Sequence, residues 1–402
     1  MRFIGNKESL SAKIYALLLK HHSIESHPKF PQSFFDMFAG SASMGKFFKA
    51  KGFQVYSCDL LYFSFCLQKA YIQNNQIPTF QGLQSIIQSS QNLADSLFAN
   101  DISPYQKVLR FLDSLPSQKG FIYHHYAPSG SKHLAQPRMY FSDENAMKID
   151  AIRVQIESWY QENKINENEY FILLATLIES LSFYANVAGV YAAFCKKWDK
   201  RALKPLKLKE IEILQSEIQH FCACGDSIEV LQKIKSKQVL DILYLDPPYN
   251  HRQYAPNYHL IETIAKYDNP KIKGVAGLRE WQHQKSAFCN AKTALIELEK
   301  IAKLNNYKHL VLSYNSEGIL QKDQIDELLN PLGAVIFESF VYPRFKSNAK
   351  EGEKYIKEYV WIKNLTNIRF QKWIQNSLIP LDKYQVLGFI MSILLFQTKE
   401  SK

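Results

Sequence analysis

Leu240-Asp241-Ile242-Leu243-Tyr244-Leu245-Asp246-Pro247-Pro248-Tyr249 is the most informative stretch of the chain. Its first six residues form an almost continuous apolar run, broken by Asp241 alone. A run of that length fits a strand buried on both faces, as in a parallel sheet; a half-solvated strand would alternate. At the carboxyl end of a parallel strand, the residues that follow face the ligand edge of the sheet. Two prolines fix the backbone there and remove two amide donors. The Pro247 carbonyl is therefore held outward as an acceptor beside the Asp246 carboxylate. Two acceptors at fixed separation suit an NH2 group, which offers two donors. Drawing on both hydrogens pulls the amine toward a tetrahedral, more nucleophilic nitrogen. Tyr249 adds a flat face on which an extruded base can stack. Asp-Pro-Pro is also a common strand-ending turn. Its place directly after a buried strand, with Tyr next, favours the chemical reading.

A similar junction lies nearer the N terminus. Ser33 to Asp36 leads into Met37-Phe38-Ala39-Gly40, an apolar run ending in small residues, which reads as a strand entering a tight turn. Gly45 to Lys51 reads as a helix closed by Gly52, and Phe53 to Cys58 as a second strand closed by Asp59. This is a β-turn-α-β unit. The small-residue turn, Asp36-Met37-Phe38-Ala39-Gly40-Ser41-Ala42-Ser43-Met44-Gly45, lets a nucleotide-like ligand approach the backbone and the helix N-terminus. Asp59 follows Gly40 by 19 residues, where an acid hydrogen-bonds ribose hydroxyls in such folds. Gly40 to Lys46 also matches the G-x-x-x-x-G-K start of a phosphate-binding loop. Phe47 stands where that loop needs Ser or Thr for magnesium, which argues against an NTPase.

Further strands are expected near Ile218 to Gly225 and at His309 to Tyr314, with a helix over Ser227 to Ile234. Ala334 to Tyr342 and Lys357 to Lys363 read as a late antiparallel pair. From about 76 to 215 the texture changes to helices with polar and aromatic loops, an insertion with a function of its own. Within it, Lys196, Lys197, Lys200, Arg201, Lys204, Lys207 and Lys209 face a single acid, Asp199. Phosphate contact is one reading and a solvated helix face the other. Tyr123-His124-His125-Tyr126 reads as a loop that either stacks on bases or packs internally. Arg252 and Tyr254, just past Tyr249, fall near the extruded base or its phosphate. Glu262, at helical spacing from Tyr258 and His259, reads equally well as a buried structural acid.

Bulk properties narrow the class. Of 402 residues, 46% are apolar and 22% charged, which excludes wholesale disorder. The formal net charge of +11 favours a polyanionic partner, nucleic acid before an acidic membrane surface. Of six cysteines only Cys222 and Cys224 are close, a pattern of neither a zinc site nor a disulfide framework. Reduced thiols in a cytoplasmic protein are expected. The apolar run Val386 to Phe396 is too short to span a bilayer, and the run from Phe171 to Phe194 is broken by Glu179 and Asn186. No membrane segment is expected.

With these motifs in place, the chain resembles the N6-adenine DNA methyltransferases in which a cofactor loop precedes a DPPY motif and a recognition insertion lies between them. Arg2-Phe3-Ile4-Gly5-Asn6-Lys7 is similar to the family's N-terminal segment, which touches the cofactor. Phe38-Ala39-Gly40-Ser41 resembles its F-x-G loop, Asp59 its ribose-binding acid, and Cys224-Gly225-Asp226 the segment whose Asp contacts the cofactor's adenine. Asp246-Pro247-Pro248-Tyr249-Asn250-His251-Arg252-Gln253-Tyr254, with Asn257-Tyr258-His259 and Glu262, resembles the extended signature of a bacterial restriction–modification subgroup. So do Arg138-Met139-Tyr140-Phe141, Asn186 to Lys196 and Ser313-Tyr314-Asn315-Ser316-Glu317-Gly318. The resemblance runs over roughly residues 1 to 365. It departs at Ala39, Ala42 and Ser43, where many relatives carry more glycine, and at Ser227-Ile228, where an aromatic is often found.

The resemblance implies an α/β, Rossmann-like S-adenosylmethionine-dependent methyltransferase sheet with a mainly helical DNA-recognition insertion. Its parts would be a cofactor portion over 1–75, the insertion over 76–215, a DPPY portion over 216–365 and a helical tail over 366–402. It implies S-adenosylmethionine held by Arg2, Lys7, Phe38, Gly40, Asp59, Asp226 and Asp246, and catalysis by Asp246, Pro247 and Tyr249 without a metal. Double-stranded DNA would be met by Arg252, Tyr254, Lys196, Lys197, Lys200 and Arg201. The roughly 40 residues beyond the family-like region are too few for a nuclease domain, so any cognate endonuclease is expected as a separate chain. An RNA adenine methyltransferase and an inactive DNA-binding protein on the same fold are the competing readings.

Overall fold

The computed structural model describes residues 7–26, 28–92, 102–235, 239–304, 306–343 and 355–364. Arg2, the rest of the N-terminal segment before Lys7, and the tail with its Val386 to Phe396 run lie outside the described residues.

Seven strands form one sheet: β1 (Ser33–Asp36), β2 (Gln54–Asp59), β3 (Phe221–Cys224), β4 (Leu240–Leu245), β5 (Tyr307–Asn315), β6 (Ala334–Pro343) and β7 (Tyr355–Asn364). Their order is β3-β2-β1-β4-β5-β7-β6. The pairs β1/β2, β1/β4, β2/β3 and β4/β5 are parallel, and β7 runs antiparallel to both β5 and β6. This is a mixed α/β sheet of Rossmann-like type.

The central strands β1 and β4 are buried on both faces, which is why β4 is a near-continuous apolar run. Phe34, Ile242, Tyr244, Val311 and Ile362 join a core with helices Glu8–Lys20, Ser43–Ala50, Tyr62–Gln68, Glu167–Tyr184 and His259–Lys266. Phe35, Leu243, Leu245, Leu310, Leu312 and Trp361 pack on the opposite face against helices Ser227–Lys235, Ala291–Ala302 and Lys322–Leu329. Each such Leu or Phe contributes about 2 kcal/mol of apolar transfer.

Helix Glu167–Tyr184 accounts for the long apolar run. A capping box between Asn166 and Glu169 starts it, and Tyr170 through Ile178 are buried without a break. Among the described residues no helix is long and apolar enough to cross a membrane.

Three local details bear on the expectations. First, β1 ends at Asp36, and the Met37 amide closes its ladder with β4 by donating to the Tyr244 carbonyl at 3.1 Å before the small-residue turn. Second, Tyr123-His124-His125-Tyr126 is not a loop but part of helix Phe121–Tyr126, with both tyrosines buried. The Asp150 carboxylate accepts the amides of Gly120, Ile122 and Tyr123 at 3.0, 2.9 and 2.8 Å, a cap that comes from a distant helix. Third, residues 196–209 form no helix and run as an irregular segment.

The topology fixes where a ligand sits. The chain leaves β1 toward β2 on one side and leaves β4 toward β5 on the other, so a crevice opens past the carboxyl ends of β1 and β4. Asp36 lies opposite Tyr244 in the register, which brings the Asp36 turn and Asp246 to the same edge.

Candidate active site

The turn after β1 is built for close approach. Gly40 has φ 51°, a left-handed conformation that glycine adopts without strain. Ala42, which caps helix Ser43–Ala50, has φ 62°. This is a position where a relative's glycine would sit more easily. Asp59, at the end of β2, clamps the turn: its carboxylate accepts the amides of Gly40 at 2.8 Å and Leu61 at 2.9 Å. Burial pushes the Asp59 carboxyl up to about 6, against the pull of these donors.

A cavity of about 530 Å³ opens beside this turn, within the ordinary range for a small-molecule site. Phe38, Gly40, Asp59, Leu61, Asp226 and Ile228 line one part, and Asp246, Pro248, Tyr249, Gln253 and Tyr254 line another. Gln284, Ser286 and Phe288 close it, and Phe38 meets Phe288 edge-on with centroids 5.1 Å apart. Asp226 is exposed at the rim, where its Oδ1 caps helix Ser227–Lys235 by accepting the amides of Ile228 and Glu229. These residues fit S-adenosylmethionine. Apolar rings and Ile228 flank one part of the cavity, the Asp59 carboxylate stands beside it, and Asp226 is at its edge. Gln284, Ser286 and Phe288 carried no signal in the sequence, since two short 3-10 turns in an otherwise irregular segment bring them to the wall. Gln253 and Ser286 exchange two hydrogen bonds, at 3.0 and 2.8 Å, and so latch that segment to the one after DPPY.

Asp246 projects from the end of β4 into this cavity. Lys7 Nζ lies 3.3 Å from its Oδ1 and 5.9 Å from the Tyr249 ring centroid. Burial pushes the Asp246 carboxyl up, and the Lys7 ammonium pulls it back. Lys7 thus stands against the DPPY aspartate and lines a second, small cavity with Asp36, Gly40, Ser41 and Ser43. Pro247 is buried and not on the wall of the large cavity; no described residue donates to its carbonyl. The Tyr249 carbonyl accepts from the Ile319 amide at 2.9 Å, which fixes the tyrosine's backbone. Tyr254 lies near-parallel to Tyr258 at 6.2 Å and forms cavity wall, while Arg252 is exposed just outside. Asp36, missed as a functional candidate, is fully buried beside Asp246 with Oδ1 unpartnered; burial first, and then the Asp246 charge, push it up to about 8.

Residues 3–328 match the family model described as D12 class N6 adenine-specific DNA methyltransferase. The chain belongs to that family. Type II methyltransferase M.FokI of Planomicrobium okeanokoites is 35% identical over 98% of this chain and 57% of its own length. Modification methylase StsI of Streptococcus sanguinis is 34% identical over 98% of this chain and 59% of its own. Type II methyltransferase M.NlaIII of Neisseria lactamica is 35% identical over 88% of this chain and 95% of its own. The chain therefore spans little more than half the length of the first two relatives.

In this D12 class methyltransferase, Lys196, Lys197 and Lys200 are exposed on the irregular segment after helix Glu167–Tyr184. Arg201, expected beside them as a DNA contact, is turned inward. Its guanidinium bonds Asp199 at 2.7 Å and donates to the carbonyls of Ser182, Ala185 and Val187, so it closes the helix end rather than facing solvent. Glu262 takes the structural reading. It is buried and accepts the amides of Tyr62 and Phe63 at the start of helix Tyr62–Gln68 and the side-chain amide of Gln284 at 2.7 Å.

Proposed function

We propose that this chain transfers the methyl group of S-adenosylmethionine to the exocyclic N6 amine of an adenine extruded from double-stranded DNA, at a specific short site and as the modification half of a restriction–modification system. The observation that carries this reading is the shared cavity: Asp246 and Tyr249 line the same space as Phe38, Gly40, Asp59 and Asp226. Family membership supports it, and relatives are named modification methylases.

S-adenosylmethionine supplies an electrophilic methyl on a sulfonium, an already activated leaving group. The chain's own residues do the rest. Tyr249 offers a stacking face for the base at the cavity wall. Asp246 and the Pro247 carbonyl accept the two amine hydrogens, which holds the nitrogen lone pair toward the donor. Asp59 and Asp226 hold the cofactor's ribose and adenine, with Phe38 flanking the ring. Holding nucleophile and methyl in line supplies most of the rate enhancement. Lys196, Lys197 and Lys200, with Arg252 near the cavity mouth, meet backbone phosphates. Tyr254 bounds the pocket of the extruded base. We assign residues 76–215 to target recognition, 1–75 and 216–365 to the two catalytic portions, and the cytoplasm as location.

The test uses tritiated S-adenosylmethionine with duplex DNA and with RNA. Wild type should label DNA. Asp246→Ala should lose turnover altogether, while calorimetry still detects S-adenosylmethionine binding. Turnover retained by that variant removes Asp246 from the mechanism, and label found in RNA alone transfers the reaction to RNA.

A further inference from the structure

Lys7 does not pair with Asp246 alone. The same ammonium donates to Glu358 Oε1, on β7, and that oxygen also accepts the Ser313 hydroxyl at 2.8 Å. Lys7 is 4% exposed and Glu358 1%, so water screens neither side of the arrangement. One buried cation thus faces two carboxylates, one on the cavity wall and one behind it.

We propose that Glu358 is a positioning residue for methyl transfer: it divides the Lys7 ammonium between two carboxylates and so sets how firmly Asp246 is held in the ionised form that accepts an amine's hydrogens. The inference rests on the proposed role of Asp246. A carboxylate closed tightly on an ammonium has its lone pairs occupied and offers little to an amine. Sharing the cation leaves lone pairs of Asp246 available to an amine. The Lys7 side of the cluster is stable. Although burial works against the charge, the Asp246 and Glu358 carboxylates hold the Lys7 ammonium above its ordinary range.

The forces on Asp246 have definite signs. Burial pushes its carboxyl up, Lys7 pulls it down, and the Glu358 charge pushes it up again. The other groups facing the cluster are Asp36 from β1, Tyr244 from β4, Ser313 from β5, and Tyr249 and Tyr254 from the segment after β4. Asp36 is held protonated at neutral pH, and Tyr244 and Tyr254 are pushed far above neutrality by burial. Glu358 is therefore the carboxylate that opposes the pull of Lys7 on Asp246.

The test is the pH dependence of kcat for DNA methylation by the full chain. Glu358→Gln keeps the side chain's shape and an oxygen for Lys7 and removes the charge. Its acidic limb should move to lower pH by about one pH unit. Lys7→Gln removes the attraction and should move the limb the other way, to higher pH. Ser313→Ala loosens the same carboxyl without removing its charge and should leave the limb in place, which separates electrostatics from packing. A Glu358→Gln limb that is unmoved or shifted upward overturns the inference. If Glu358→Gln does not fold, an unmoved limb in Lys7→Gln overturns it equally. Failure of wild type to methylate DNA would instead refute the proposed function, so the two outcomes are distinct.

Discussion

Asp36 shows what a single buried carboxyl does at this site. Burial, aided by the Asp246 charge, holds it at about 8, so the folded chain keeps a proton that the unfolded chain has lost. Folding therefore takes up a proton between the ordinary carboxylate range and about pH 8. The stability contributed by the neutral carboxyl is complete below that range and disappears as pH rises through the folded value. Asp36→Asn, neutral throughout, should gain in Tm over wild type progressively from about pH 5 to about pH 8; a difference independent of pH would contradict the assignment. Asp246, Tyr249, Gly40 and Asp59 are legible in the sequence because each ends or follows a strand within a local motif. Asp36 sits in the same motif as Gly40, but what distinguishes it is the charge across the strand pair, which leaves no mark on its sequence neighbours. Glu358 was illegible for a stronger reason: its partner Lys7 is 351 positions away, and no local pattern marks the pairing.

The strands were readable because parallel strands buried on both faces must be apolar throughout, as in Leu240–Leu245. Short helices were less so. Helix Phe121–Tyr126 depends on the Asp150 carboxylate, and helix Tyr62–Gln68 on Glu262, each cap supplied from a different helix. Glu262 joins three pieces of the site: the helix that follows Asp59, the segment that follows DPPY, and Gln284 on the cavity wall. It also pairs with Lys266 at 3.0 Å. Glu262→Ala leaves the buried Phe63 amide and the half-buried Tyr62 amide without an acceptor and should cost about 3 kcal/mol in urea unfolding. It should also weaken S-adenosylmethionine binding through the released Gln284. Unchanged stability together with unchanged cofactor affinity would show that this strut holds nothing in place.

The order β3-β2-β1-β4-β5-β7-β6 is what turns two distant motifs into one cavity, since β1 and β4 are neighbours although some 200 residues separate them. The helices between β2 and β3 share one core cluster with a face of the same sheet, and Lys196, Lys197 and Lys200 are exposed on the irregular segment after helix Glu167–Tyr184. If Lys196, Lys197 and Lys200 each neutralise a phosphate, replacing all three by Gln should lower the slope of log affinity against log salt by about 2 to 3. Cofactor affinity should be unaffected, and an unchanged slope would place the DNA elsewhere. The deciding experiment is mass spectrometry of nucleosides from DNA and RNA of a host that lacks DNA methylation and expresses this chain. N6-methyladenine should appear in DNA and vanish with Asp246→Ala. Methyl found instead on the cytosine amine, or in RNA alone, would contradict a pocket that grips the amine of a DNA adenine.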